Sequence, residues 1–444
     1  MSRDDLPSRV DVIVVGAGSA GCVLAERLSR NPDRSVLLLD RGPREWPSTQ
    51  IRDLGALPIA AGSRYAQAYD EASGLGVIRG RGLGGSSAVN GGYFLRWHPG
   101  DFTGWPTGWA PDDIAAAYAE LDAPGGTMHV SAFSDDELAD VVPRFEAYWA
   151  RSMPVRPSEE PWPIVGVNRV RSNREGTGRR TAAEAYLRAA LGRGNLAVAT
   201  VAEVTAVMTA GRTVTGVDVA GTTVECGEVV LCAGTLGTAA ILLRSGLDVL
   251  GGADELAVHE HREVLVHYRA RWGSGRAVAR PLLQSVVHTA DDIEIRCYSD
   301  DMANYIEGLP PAGPAVGVAV MRPGTPGSVR LNPSGLTIDL GTVDSVAAAR
   351  FEHGVAAVAE MLRSDPFAGE VDPDSVAVDP VVRTSQHAWG SMPMGERTDW
   401  LGGVIGLHGL RIVDGSILPT AGRSGPHATI MMTACRIGDR LVEC

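Results

Sequence analysis

Val10-Asp11-Val12-Ile13-Val14-Val15-Gly16-Ala17-Gly18-Ser19-Ala20-Gly21, followed by Val36-Leu37-Leu38-Leu39-Asp40, is the stretch from which the fold of this chain can be read. Val10 to Val15 reads as a buried strand, residues 20–30 as an amphipathic helix and Val36 to Leu39 as a second strand. Gly16, Gly18 and Gly21 fall between the first strand and the helix. There a tight turn, close approach of backbone to a pyrophosphate and close helix packing each exclude a Cβ atom. Amides at the helix N-terminus would hold the phosphates. Asp40 ends the second strand 19 residues after Gly21, where a carboxylate is expected to accept hydrogen bonds from ribose hydroxyls. With Ser19 and Arg41 beside these positions, the stretch predicts a βαβ dinucleotide site. Alone it does not separate NAD from FAD.

A second glycine run narrows the choice. Arg79-Gly80-Arg81-Gly82-Leu83-Gly84-Gly85-Ser86-Ser87-Ala88-Val89-Asn90-Gly91-Gly92 has little side-chain bulk and leads directly into Tyr93, Phe94 and Trp97. Glycine and serine are common in surface loops, but a solvated loop rarely runs straight into aromatic residues. The run is suited to wrapping a large flat cofactor at close range.

Composition bounds the rest. At 444 residues the chain exceeds one ordinary core, so two interlocked domains are expected. The net charge of −13 carries no basic run, which argues against a nucleic-acid partner. All 40 basic residues are arginine; without lysine there is no Schiff base and no pyridoxal phosphate chemistry. Six cysteines show no metal-ligand spacing, and Cys22 and Cys232 fit core sites. His259 and His261 lack a third ligand nearby, so no metal is expected. No apolar run approaches the ~20 residues of a membrane span, and Met-Ser-Arg-Asp-Asp-Leu-Pro at the start lacks a signal peptide's apolar stretch. A cytoplasmic protein is expected, with docking at the inner face of the membrane left open.

From Arg79 to Asn90, continuing through Arg96, Asp101 and Trp105, the chain resembles the first signature of the glucose-methanol-choline (GMC) oxidoreductases, which bind FAD. The resemblance recurs in order. Asn195-Leu196 through Val204 is similar to the segment laid against adenine, and Leu231-Cys232-Ala233-Gly234 to the next FAD-contacting strand end. Leu410 to Ser416, with Leu418-Pro419, is similar to the segment whose aspartate meets the flavin side. The resemblance implies an α/β protein with a Rossmann-like FAD domain and a discontinuous sheet-and-helix substrate cap. Beyond the first glycine turn it implies cofactor contacts at Arg81, Gly84, Gly85, Ser86, Asn90 and Gly91. Further contacts are implied at Val204, Ala233, Gly234, Asp414, Gly415, His427, Ala428 and Thr429. Members with covalently attached flavin carry histidine where this chain has Val89, so non-covalent FAD is implied.

Within the family, the chain is most similar to the mycofactocin-associated members. This rests on Val89 to Phe94, Gly317 to Met321 with Pro323, Thr384-Ser385-Gln386-His387, Pro393-Met394-Gly395 and Gly425 to Ile430. Such members are implied to take electrons from reduced mycofactocin (mycofactocinol), a peptide-derived redox carrier, and pass them towards a respiratory-chain acceptor. Two departures stand out: Ser245 to His261 is shorter than usual, with Leu256-Ala-Val-His-Glu-His261 replacing Gly-x-Asn-Leu-x-Asp-His, and the usual Asp-Pro element near 401–409 is lost.

Removing a hydride from an alcohol carbon also requires the hydroxyl proton to leave, and imidazole is the natural base near neutral pH. His387 and His427, 40 residues apart and flanking Asp414, match the family positions at the reactive edge of the flavin. His387 is read as principal base and His427 as the partner that orients the hydroxyl or shares the proton. The other eight histidines, including His98, His261 and His408, are given no role.

Residues 1–98, 168–250 and 388–444 are expected to form the FAD domain, and 99–167 and 251–387 the cap, with strands at Glu263 to Trp272 and Gly317 to Met321. The chain is thus read as an FAD-dependent alcohol dehydrogenase. The alternatives are an FAD-dependent oxidase or dehydrogenase of a small alcohol or sugar, a non-redox GMC-type lyase that cleaves cyanohydrins, and a non-catalytic FAD-holding partner protein.

Overall fold

The structure is a computed structural model that describes residues 5–46, 48–272, 281–333 and 335–443. Strand Arg9–Val15, helix Ser19–Leu28 and strand Val36–Asp40 form the expected βαβ unit. The two strands pair in parallel, and the sheet extends from them as Val204–Ala210, Thr213–Val219, Thr222–Leu231, Arg9–Val15, Val36–Asp40, Leu196–Thr200. The strand Thr222–Leu231 is shared along its length. Its first half pairs antiparallel with Thr213–Val219, and its last three residues pair in parallel with Leu410–Ile412. Sequence 400 residues from the start is thereby laid beside the first strand's neighbour. The chain then ends in the amphipathic helix His427–Glu443, packed against helices Ser19–Leu28 and Pro111–Asp122. Gly438 permits the close crossing, because a Cβ there would stand 2.7 Å from Arg27 Cγ.

The cap is an antiparallel sheet in the order Val371–Val378, Arg262–Ala270, Ala315–Val320, Ile293–Tyr298, Leu283–His288, Gly166–Arg169. Helices Val141–Trp149 and Ser345–Leu362 pack on it. Packing corrects the expected domain limits in three places. Helix Pro111–Asp122, within the 99–167 cap segment, sends Ile114, Tyr118 and Leu121 into the core of the dinucleotide-binding body. Strand Glu255–Val258 pairs with Gly327–Asn332, and its Leu256 and Val258 join that same core, although both strands lie in the 251–387 cap segment. Strand Gly166–Arg169 belongs to the cap sheet and crosses the limit set at 168. An apolar face tells that an element is buried, not which of two cores receives it.

The two glycine runs meet backbone to backbone. Gly85 sits at φ +50°, and a Cβ there would lie 2.7 Å from Gly18 Cα, while a Cβ on Gly80 would lie 2.3 Å from the Gly85 carbonyl carbon. Gly85→Ala is therefore expected to destabilise the apoprotein by about 1–3 kcal/mol, read as a lower midpoint in urea unfolding, and to weaken retention of the cofactor.

Candidate active site

A cavity of about 650 Å³ runs from the first glycine turn to the cap sheet, within the range of small-molecule sites. Three helices begin at its wall: Ser19–Leu28, Gly234–Ser245 and His427–Glu443. None carries an acidic residue in its first turn. The N-caps of the first two, Gly18 and Ala233, supply no side-chain acceptor. The positive ends of the helix dipoles thus face the cavity, the arrangement that takes up a phosphate or another anionic group, although at Gly234–Ser245 the Gly234 amide already serves the Asp414 carboxylate. Gly234, at φ +74°, has no atom within 4 Å of where a Cβ would stand. These features fit a dinucleotide cofactor with a pyrophosphate.

Most residues predicted for the cofactor line this cavity. Gly16, Gly18, Ser19, Asp40 and Arg41 do so at one end, with Val204 from the segment after strand Leu196–Thr200. Arg81, Gly85, Ser86, Asn90 and Gly91 line it along the second glycine run, and Ala233, Gly234, Asp414, Gly415 and His427 from the far side. Four predicted residues do not line it. Gly21 packs on the turn, where a Cβ would stand 1.8 Å from the Gly16 carbonyl oxygen, and Gly84 shapes its loop at φ +93°. Ala428 is buried behind the wall, as is Thr429, whose hydroxyl pairs with Tyr118 Oη at 2.7 Å. Asp40 also differs from expectation. Its Oδ2 accepts from the Ala17 amide at 2.8 Å and its Oδ1 from Gly42 and Gly82 at 2.7 and 2.9 Å. Three of about four acceptor positions are taken by backbone, so its first task is to clamp both glycine loops. Asp414 is similarly engaged, accepting from Ser416 N and Thr238 Oγ1 at 2.8 and 2.6 Å, and burial raises its pKa.

The histidines pair differently from the sequence reading. His387 Nδ1 lies 3.0 Å from His261 Nδ1, and His427 Nδ1 lies 3.3 Å from Asn90 Nδ2. Asn90 Oδ1 accepts from Gly92 N at 3.0 Å, which sets the amide with its NH2 towards His427. An imidazole that accepts at Nδ1 carries its proton on Nε2, so His427 is a hydrogen-bond donor at Nε2, an atom with no protein partner. His387 has the opposite capability. If its Nδ1–H donates to His261 Nδ1, its Nε2 is a free base. A Cβ on Gly425 would stand 3.3 Å from that nitrogen and 3.4 Å from the Tyr93 ring, so glycine keeps the approach open. The His387 backbone N–H donates to Glu260 Oε1 at 2.7 Å, and Arg79 Nη2 lies 3.4 Å from Glu260 Oε2. Burial, with Arg296 and His261 adding repulsion, holds His387 well below the usual imidazole range; burial lowers His427 to about 4 and His261 to about 3.

Opposite them stands the polar face of the cap sheet. Along Ile293–Tyr298 alternate side chains point to one side, and Glu294, Arg296 and Tyr298 line the cavity. Arg296 bonds Glu294 at 2.7 Å, Glu263 at 3.1 Å and Ser385 Oγ at 2.6 Å. Glu294 also accepts from Tyr93 Oη at 2.6 Å and His288 Nε2 at 2.8 Å, and His288 Nδ1 lies 2.8 Å from His98 Nε2. Although burial opposes ionisation, Arg296 and these donors keep Glu294 below the carboxylate range. Sequence reasoning missed His261, Glu294 and Arg296. The alternation Ile-Glu-Ile-Arg-Cys-Tyr at 293–298 was the available signal for the last two; for His261 it was its place at the end of Leu256-Ala-Val-His-Glu-His261, where the family motif also ends in histidine.

Comparison with protein-family profiles matches GMC oxidoreductase over residues 10–259 and again over 323–434. The chain belongs to the GMC oxidoreductase family. It is 32% identical to an uncharacterised GMC-type oxidoreductase of Rhodococcus erythropolis over 96% of this chain and 97% of the relative. It is 31% identical to pyridoxine 4-oxidase of Microbacterium luteolum over 54% of this chain and 52% of that one. Among solved structures it is similar to pyridoxine 4-oxidase from Mesorbium loti, with a TM-score of 0.87, 25% identity and coverage of 98% and 99%. This GMC protein is an FAD-dependent oxidoreductase acting on the CH–OH groups of alcohol-type substrates. No helix among the described residues is long and apolar enough to cross a membrane.

Buried neutral histidines make stability pH-dependent. His98, His259, His261, His387 and His427 all have lowered pKa values, with burial the largest cause. Below the unfolded value of about 6.5 the unfolded chain binds protons that the native site refuses, so stability rises with pH in that window. The stabilisation is present above about pH 6.5 and is lost as pH falls towards 4. Urea midpoints measured at pH 7.5, 6 and 5 are expected to fall, with the steeper loss below 6.5.

Proposed function

We propose that this GMC oxidoreductase is a dehydrogenase that takes a hydride from the carbinol carbon of its donor while His387 Nε2 takes the hydroxyl proton. FAD, when bound, supplies the hydride acceptor. The observation that carries this reading is the His387 imidazole, with Nδ1 held against His261 and its other nitrogen beside the gap that Gly425 leaves. His427, with its proton on Nε2, orients the hydroxyl by donating to it. Depressed basicity suits a base that must be free at neutral pH and surrender its proton afterwards. The helix N-terminus at Ser19 holds the pyrophosphate, Val204 and Arg41 the adenosine end, and Asn90, Asp414 and Gly415 the flavin end. Val89, buried on the cavity wall, has no nucleophile, so FAD is held without a covalent bond.

For the donor we propose reduced mycofactocin, with electrons passed to a respiratory-chain acceptor at the cytoplasmic side. The support is the likeness at Thr384 to His387 and Gly425 to Ile430. A second reading, an oxidase of a small alcohol, is supported by the similarity to pyridoxine 4-oxidases over nearly the whole fold. An anaerobic visible spectrum before and after reduced mycofactocin separates the two. Bleaching of oxidised flavin supports the first; bleaching by pyridoxine alone, with peroxide formed in air, supports the second.

His387→Ala is expected to slow flavin reduction by about 10²–10⁴-fold while the protein keeps its FAD, checked by stopped-flow reduction and the flavin content of the purified variant. His427→Asn, which retains a donor, is expected to lose less.

A further inference from the structure

Gln386 is held at φ +64°, in the left-handed region that a non-glycine residue occupies only when its surroundings enforce it. Its side chain provides the enforcement. Oε1 accepts from Ile78 N at 2.9 Å and from Arg79 Nη1 at 2.5 Å, and Nε2 donates to the Gly76 carbonyl at 2.8 Å. All three partners lie on the second strand of the hairpin Ala66–Tyr69/Val77–Gly80 or just before it. That hairpin lines the cavity through Gln67 to Asp70 and Ile78 to Arg81. Its tip is anchored separately, by Ala72 N to Ile338 O and Ile338 N to Asp70 O at 2.8 and 3.1 Å. Arg79 then reaches Glu260, the acceptor of the His387 amide. The wall of the cofactor chamber and the segment that carries the base are therefore joined through the Gln386 amide and, beside it, through Arg79 and Glu260.

We propose that Gln386 is a positioning residue that couples the ordering of this hairpin along the cofactor to the placement of His387. The proposal rests on FAD occupying the cavity and is independent of which alcohol is oxidised. Gly76, Ile78 and Arg79 sit on the Gln386 amide, so cofactor contacts that order the hairpin also fix the left-handed turn that aims His387 at the cavity. Coupling between two sites is reciprocal, so whatever FAD contributes to order around His387, Gln386 returns as FAD affinity.

The test is hydrogen exchange by mass spectrometry on apoprotein and FAD-loaded protein, in wild type, Gln386→Gly and Gln386→Asn. Glycine accepts φ +64° without strain, and asparagine tolerates it while its amide is one methylene too short to span the same partners. In the wild type, FAD is expected to slow exchange about 5-fold or more in peptides covering 66–80 and 384–390. In the variants FAD still protects 66–80, protection at 384–390 falls towards the apo level, and the FAD Kd rises by the factor lost there. A purely structural role would lower protection at 384–390 equally with and without FAD. Wild-type protection at 384–390 that persists in a folded variant, or that FAD never induces in the wild type, would overturn the proposal. Wild-type apoprotein that does not bind FAD would overturn the cofactor assignment itself. If Gln386→Gly does not fold, Gln386→Asn carries the comparison.

Discussion

The Asp40 carboxylate gathers amides from Ala17 and Gly82, on the two glycine loops that sequence alone would leave free, and from Gly42 in the turn that follows its own strand. Each loop is too glycine-rich to hold its own shape, and a buried carboxylate with fewer than its full set of donors is costly. Satisfying one therefore orders the other. With the loops joined, Gly85 rests on Gly18, the N-terminus of helix Ser19–Leu28 faces the cavity, and Arg79 arrives beside Glu260. The two ends of the cavity are thus built from a single folded unit.

At the reacting end the deciding feature is charge. Two neutral histidines at 3.0 Å cannot both be protonated without mutual repulsion, and burial penalises either cation. His387 is therefore held in its neutral form, with its Nδ1 against His261. Nearby, Arg296 is bound to both Glu263 and Glu294 on the cap sheet, which fixes its charge beside the cavity. Tyr93, which follows the second glycine run, donates to Glu294 and links cap to cofactor body.

The opening strands and helix, the second glycine run and its use as a cavity wall were all legible in the sequence, because each follows from local backbone demands: a turn that admits no Cβ, a strand buried on both faces, a helix start without a cap. The partner of His387 was not legible. His261, 126 residues before His387, is the side chain that reaches its Nδ1. Likewise Asp40 matched the spacing expected of a ribose ligand, while the number of amides converging on it depended on a loop 42 residues later.

The sequence by itself determined the chemistry available: a dinucleotide turn at Gly16 to Gly21, an acidic strand end, buried-type imidazoles late in the chain, and no lysine. Tertiary structure decided which of those groups meet. Strand Arg262–Ala270 of the cap and strand Arg383–Thr384 are brought together by antiparallel pairing, His261 is thereby set against His387, and Gln386 against the 76–79 strand. Tautomer, basicity and reach are properties of such pairs, and a pair separated by more than a hundred residues leaves no periodic trace in either segment.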